Sequence, residues 1–315
     1  MKFAAPAKIN LALHVTGQRP DGYHLIESLV VFADVGDGIS TRASDSDRLT
    51  FSGPFGAALE SDTGTNLVIM ARDAIRAHAG SAHCPPVAIH LTKNLPLASG
   101  IGGGSADAAA TLKGLNEHWQ LGLTIDELCA IGLQLGADVP MCLHGKPLIA
   151  KGIGEIIEPL DGFPELHLLL VNPGVGVSTP EIFKALAKND NEGLPLSPFL
   201  QRGAGRVRGG ETRELKEIPP SSGAARHLLP TEVAGRSEVP AIVNFLRTTR
   251  NDLEAPARAL CPAIGDVPDA LYRSGAKFAR MSGSGATCFG IFEDQDSKAS
   301  AKAAIADAHP KWWIA

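Results

Sequence analysis

Residues 96–110 read Pro-Leu-Ala-Ser-Gly-Ile-Gly-Gly-Gly-Ser-Ala-Asp-Ala-Ala-Ala, and no other run constrains the chain as much. Glycines and serines lead straight into an alanine-rich segment, and alanine is the best helix former. Glycine lets backbone N–H groups turn inward around an anion with no Cβ in the way. The N-terminus of the following helix adds free donors and partial positive charge. Together these features make a phosphate cradle. A Gly-rich turn that only caps a helix is the plainer alternative.

The type of cradle can be narrowed. A Walker A loop needs Gly-Lys-Ser/Thr at the helix start, whereas Gly104 is followed by Ser105 and the next lysine is Lys113. A dinucleotide fingerprint needs Gly-x-Gly-x-x-Gly directly after a strand. Gly100-x-Gly102-x-x-Ser105 nearly fits, with Asp126 downstream, but the strand-like segment Val87–Leu91 ends well before Gly100.

Around this loop, strand and helix signals alternate. Ile9–Thr16 and Leu25–Ala33 read as strands, with Pro20-Asp21-Gly22 as a turn between them. Asn66–His78 carries apolar residues at helical spacing. The Gly-rich run predicts a helix over roughly 104–118, opened by Ser105. Thr124–Leu135 is predicted helical, with Thr124 as N-cap and Glu127 at the capping-box position. His167–Val171 reads as a strand, and Thr179–Ala187 as a helix with Pro180 in its first turn. The pattern is mixed α/β.

The chain has 315 residues, 44% hydrophobic and 20% charged, with a formal charge of −5. That length allows two domains with ordinary cores. The charge argues against a general nucleic-acid or membrane-surface binder. Five cysteines, an odd number without CxxC or CxxH spacing, argue against a disulfide framework or a zinc site. They read as thiols of a reducing cytoplasm. Lys8 and Asn10 interrupt any signal-peptide core, and no apolar run is long enough to span a bilayer. The expected location is cytoplasmic, with no nucleic acid, no membrane and no obligate protein partner. The stretch at about 190–240 is basic, holding Arg202, Arg206, Arg208, Arg213 and Lys216 among Gly, Pro and Ser. It is expected to be a flexible surface insert, with a basic flap over phosphates as the alternative.

Pro96 to Ala106 resembles the Pro-x-x-x-Gly-(Leu/Ile)-Gly-Gly-Gly-Ser-(Ser/Ala) signature of the kinase superfamily of galactokinase, homoserine kinase and mevalonate kinase. Four further segments are similar to one branch of it, whose members phosphorylate the 2-hydroxyl of 4-diphosphocytidyl-2-C-methyl-D-erythritol. They are Ala5–Leu13 with Gly17–His24, Leu135–Pro140, Asn251–Glu254 and Arg280–Phe289. The matches run in family order from residue 5 to about residue 290, and only about 190–240 has no counterpart.

The resemblance implies an α/β (α+β) two-domain small-molecule kinase fold with a nucleotide cleft between the domains. Residues 1–160 would form the ATP-binding domain and 161–315 the second domain. The reaction would be ATP-dependent, with Mg²⁺ accompanying the ATP, and would serve the non-mevalonate isoprenoid pathway. Asp138 would accept the proton of the substrate hydroxyl. Lys8 would pair with it and stabilise charge on the reacting oxygen. Read alone, Asp138 is a turn cap and Lys8 a strand-edge cation. Asn10 falls on the same face as Lys8 if that segment is extended, and would steady the pair or the substrate. Tyr23 and Phe183 would stack on cytosine and His24 would read its edge; half-buried packing is the alternative for Tyr23. Asn66 and Lys93 match contacts on the adenine side of ATP. Gly100, Gly102, Gly103, Gly104 and Ser105 would form the cradle, with Pro96 also binding ATP and the Ser105 hydroxyl on a phosphate or Mg²⁺. Metal ligands stay unassigned. Gly283-Ser284-Gly285 would bring second-domain backbone near the phosphates. One departure is Ala106, where the family commonly has Ser or Asn.

Overall fold

The computed structural model describes residues 1–60, 66–195 and 239–315. One sheet is built from β1 (Lys2–Gln18), β2 (His24–Ala43), β3 (Arg48–Ser52), β4 (Val87–Thr92), β5 (Leu148–Gly152) and β6 (Ile156–Pro159). Its order is β3-β4-β2-β5-β6, with β1 on β2, and only β3 and β4 run parallel. The second sheet, from β7 (His167–Asn172), β8 (Phe278–Met281), β9 (Cys288–Phe292) and β10 (Trp313–Ile314), is antiparallel in the order β10-β7-β9-β8.

Helices α1 (Leu67–Ala79), α2 (Gly103–His118), α3 (Ile125–Leu133) and α4 (Val139–His144) pack on the first sheet. With the second go α5 (Thr179–Lys184), α6 (Val239–Arg247), α7 (Glu254–Leu260), α8 (Ala263–Arg273) and α9 (Gln295–Ala308), α6 in a cluster shared with β1. The apolar face of β1 joins the halves: Ile9 and Leu11 pack in one cluster with Leu170, Phe289 and Leu246. Backbone bonds strengthen this seam, from Leu13 N–H to Arg250 O at 2.9 Å and from Asp252 N–H to Leu13 O at 2.9 Å.

β1 and β2 run well beyond Ile9–Thr16 and Leu25–Ala33. Pro6 and the polar stretch 34–38 look like strand breakers, yet the pairing passes through them. Gly36 makes this possible, because a Cβ there would strike the backbone of Ala5 and Pro6. Register shifts in β1 fall between Pro6 and Lys8, Asn10 and Ala12, and Val15 and Gly17. Such bulges re-aim side chains, and the first two flank Lys8–Asn10.

Other boundaries moved less. The turn at 20–22 forms, with Gly22 at φ 91°. α2 starts at Gly103 with Gly102 as N-cap, so Ser105 lies inside its first turn and does not open it. The Thr124–Glu127 capping box is present in full. α5 stops at Lys184, short of Ala187. The chain after it is fastened to the first sheet, through Asn191 N–H to Val15 O at 3.0 Å and Leu194 N–H to Glu27 Oε2 at 2.8 Å. Of the expected insert at 190–240, residues 196–238, with Arg202, Arg206, Arg208, Arg213 and Lys216, lie outside the described residues.

Candidate active site

A cleft of about 1110 Å³ opens where the first sheet, its Gly-rich loop, α5 and the β8–β9 turn meet. Every residue singled out from the sequence as catalytic, substrate-binding or ATP-binding lines it.

At its floor Lys8 Nζ lies 2.8 Å from Asp138 Oδ2. The Lys8 side chain is 5% exposed and that of Asp138 is 38% exposed, so the carboxylate faces the cleft while the cation is walled in. Lys8 also donates to Asn10 Oδ1 at 3.1 Å, which puts both side chains on one face as the extended spacing requires. Asn10 Nδ2 donates to Ser28 Oγ at 2.7 Å, and Ser28 donates on to Ala12 O at 2.7 Å. This relay fixes the Asn10 oxygen toward Lys8. Asp138 occupies the N-cap position of α4, but its side chain caps nothing there. Its carboxylate is therefore available to the cleft, and the turn-cap alternative fails.

The cradle has left-handed backbone at Gly100 (φ 72°) and Gly102 (φ 64°). Gly102 O accepts the Ala106 N–H at 2.8 Å and starts the helix ladder. The amides at the head of α2 have no partner within the helix and can meet an anion. Lys8 N–H donates to Ile101 O at 2.9 Å, so the strand carrying Lys8 is stitched to the loop.

The β8–β9 turn packs against the loop backbone to backbone. Ser282 Oγ accepts the Asn10 N–H at 3.0 Å and donates to Gly100 O at 3.3 Å. Asn251 Nδ2 donates to Met281 O and to Gly283 O, each at 2.8 Å, and holds the turn in place.

Lys93, expected on the adenine side, has its ammonium 2.6 Å from both Asp37 Oδ2 and Asp107 Oδ2, deep under the loop. Burial works against its charge, but Asp107 and Asp37 more than offset this and raise its pKa. Burial pushes the Asp107 carboxyl up despite Lys93, and Asp37 adds to the rise. Asn66 caps α1, its side chain accepting the Val68 N–H at 2.9 Å.

At the opposite end, His24 stacks on Phe183 with ring centroids 4.7 Å apart and planes 26° apart. That is direct ring contact, so no base fits between those two rings. Tyr23 is 59% exposed and presents a free face to the cleft. Half-buried packing is therefore not its environment. Burial lowers the pKa of His24. Thr179 and Ser284 share a hydroxyl–hydroxyl bond of 2.8 Å, tying the helix that carries Phe183 to the β8–β9 turn.

Sequence reasoning missed Ser28, Asp37 and Asp107. Asp107 carried one usable signal, an acidic residue in an otherwise apolar helical run; Ser28 and Asp37 carried none. Ser282 and Asn251 lay within recognised segments but had no role assigned.

Comparison with known proteins places this geometry. The GHMP kinases N-terminal domain model matches residues 66–146, and the GHMP kinases C-terminal model matches residues 240–311. The chain is 48% identical over 311 residues to 4-diphosphocytidyl-2-C-methyl-D-erythritol kinase of Mesorhizobium japonicum, covering 99% of this chain and 93% of that protein. Identity to the enzyme of the same name from Agrobacterium fabrum is 48% over 314 residues, with 99% and 93% covered. A crystal structure of 4-(cytidine 5'-diphospho)-2C-methyl-D-erythritol kinase superposes with a TM-score of 0.70 at 30% identity, covering 100% of this chain and 98% of that one. Homoserine kinase from Cytophaga hutchinsonii shares the fold at 18% identity and a TM-score of 0.62, with 100% and 93% covered. The chain belongs to the 4-diphosphocytidyl-2-C-methyl-D-erythritol kinase family of the GHMP kinases.

Proposed function

We infer that the protein transfers the γ-phosphoryl group of ATP to the 2-hydroxyl of 4-diphosphocytidyl-2-C-methyl-D-erythritol, releasing ADP, in the non-mevalonate route to isoprenoid precursors. The observation that carries this reading is the Lys8–Asp138 pair, 2.8 Å apart, within one cleft that also holds an anion-binding helix start and the Tyr23, His24 and Phe183 rings. Phosphoryl transfer needs little covalent chemistry from a protein; positioning and charge stabilisation supply most of the rate.

The ATP phosphates sit at the head of α2, on the amides of Gly102 to Ser105. Asp138 accepts the proton of the attacking hydroxyl. Lys8 orients that carboxylate and stabilises negative charge at the reacting oxygen, and the Asn10–Ser28 relay fixes Lys8. Tyr23 stacks on the cytosine, with the His24–Phe183 stack forming the neighbouring wall. Pro96 and Asn66 border the ATP side of the cleft. Lys93 acts on that side through the loop, not as a free cation.

Mg²⁺ bound with the ATP would offset phosphate charge. No group of three or more metal-ligating side chains occurs among the described residues. The Ser105 hydroxyl, in the first turn of α2 and lining the cleft, would be the protein oxygen that holds the ion. No helix among the described residues is long and apolar enough to cross a membrane. We place the reaction in the cytoplasm, with small molecules as the partners.

An ADP-release screen of the cytidyl compound, homoserine and mevalonate tests the reading. Turnover with the cytidyl compound alone supports it. Preferred turnover of homoserine or mevalonate would overturn the substrate assignment, and no turnover with any acceptor would overturn the enzyme reading.

A further inference from the structure

Asp37, Lys93 and Asp107 form a buried charged group that the transfer step leaves unused. Their side chains are 0%, 3% and 4% exposed. The chain leaves Lys93, forms the whole Gly-rich loop and returns to Asp107 in the second turn of α2. The 2.6 Å contact between Lys93 Nζ and Asp107 Oδ2 therefore closes the neck of the loop.

Asp37 anchors the same neck to β2. Its Oδ2 accepts from Lys93 Nζ at 2.6 Å, and its Oδ1 accepts the N–H groups of Asn94 at 2.6 Å and Leu95 at 2.8 Å. Asn94 Nδ2 donates to Gly36 O at 3.0 Å. The ammonium stands directly beneath the first turn of amides: a Cβ at Gly103 would lie 3.2 Å from Lys93 Nζ and 3.7 Å from Asp37 Oδ2.

Burying three charged groups is costly and seldom improves stability over apolar packing. What the arrangement does supply is a fixed loop. Closing a loop and ordering its backbone cost conformational entropy, and a site ordered beforehand does not bear that cost when ligand arrives. We propose that Asp37 and Asp107 are positioning residues for ATP: they hold Lys93 as a strut that sets the phosphate loop in its binding shape before the nucleotide enters. The proposal rests on reading this loop as the ATP phosphate seat. Neither carboxylate need touch the nucleotide.

The strut acts on nucleotide affinity and leaves recognition of the cytidyl end alone. Calorimetric binding of a non-hydrolysable ATP analogue with Mg²⁺, together with KM and kcat, separates the two. Asp107→Ala should weaken analogue binding by at least about tenfold, a free-energy change of about 1.4 kcal/mol. KM for ATP should rise far more than kcat falls, with KM for the cytidyl substrate unmoved. Asp107→Asn, whose carbonyl oxygen still accepts from Lys93, should recover most of the loss. Lys93→Met with Asp107→Ala should bind no more weakly than Lys93→Met alone, since both break one contact.

If these variants do not fold, hydrogen exchange on the nucleotide-free wild type decides. Slow exchange of the amides at 97–104 supports a preset loop, and exchange at the rate of an unstructured chain overturns it. Wild-type affinity in a folded Asp107→Ala variant, or a loss of kcat with unaltered analogue binding, overturns the strut. Failure of the wild type to bind the analogue overturns the ATP reading itself.

Discussion

Gly100→Ala isolates the contact between the Gly-rich loop and the β8–β9 turn. An added Cβ would lie 2.5 Å from both N and O of Gly285 and 2.7 Å from Ser282 O. All three are backbone atoms, so no side chain can swing aside. Gly100 also has φ 72°, where a residue with a Cβ is strained by about 1–2 kcal/mol. Forcing a methyl into a filled space adds about 1–3 kcal/mol, for a total of about 2–5 kcal/mol. Gly122→Ala is the control, because Gly122 has nearly the same φ, 68°, and nothing within 4 Å of its Cβ position. It should lose only the conformational part, about 1–2 kcal/mol. At about 2 °C per kcal/mol for a chain of this size, melting should fall by about 2–4 °C in the control and about 4–10 °C in Gly100→Ala. Titration with an ATP analogue should show Gly100→Ala at least about tenfold weaker than wild type and Gly122→Ala unchanged, a gap of about 1.4 kcal/mol. Equal melting of the two variants, together with wild-type ATP affinity in Gly100→Ala, would refute the packing argument.

Asp138→Asn keeps the shape of the side chain but removes its basicity, so kcat in an ADP-release assay should fall by at least ~10²-fold, with analogue affinity little changed; near wild-type turnover would reject Asp138 as base. Tyr23→Ala removes the exposed stacking face, and kcat/KM for the cytidyl substrate should fall by roughly tenfold to a hundredfold while ATP binding holds. Because burial lowers the His24 pKa from the ordinary 6.5, the neutral ring persists at neutral pH and gains a proton only as pH falls below that value. KM for the cytidyl substrate should therefore be flat above pH 7 and rise in acid, and His24→Gln should flatten the acid limb; an unaltered limb would remove His24 from the site.

What could be read from the sequence divides along a physical line. Local chemistry was visible: the Gly-rich run, the Thr124–Glu127 box and the 20–22 turn each need only neighbouring residues, and all three formed. The family motifs supplied residues that do gather around one cleft. The supporting contacts were not visible, because their partners are remote. Asn10 meets a serine 272 positions away, and Asp37 meets a lysine 56 positions away. Polar residues at 34–38 look like a loop until the backbone that satisfies Asp37 is in place. The His24–Phe183 contact was likewise hidden: two rings matched to one ligand gave no sign that they would touch each other.

The backbone packing of Gly100 against Gly283 and Gly285 also has a mechanical meaning. A Cβ at Gly283 would approach Gly100 O to 2.6 Å, so each strand of chain leaves the other no slack. Rotamer changes cannot absorb relative movement there, since neither glycine has a rotamer. The two halves of the molecule are thus pinned at the phosphate end, much as a rivet holds two plates. At the far, aromatic end the His24–Phe183 contact is made by side chains alone, and these can turn on their own bonds. ATP would sit beside the rivet, where backbone leaves no slack, whereas the cytidyl group would lie against rings free to turn.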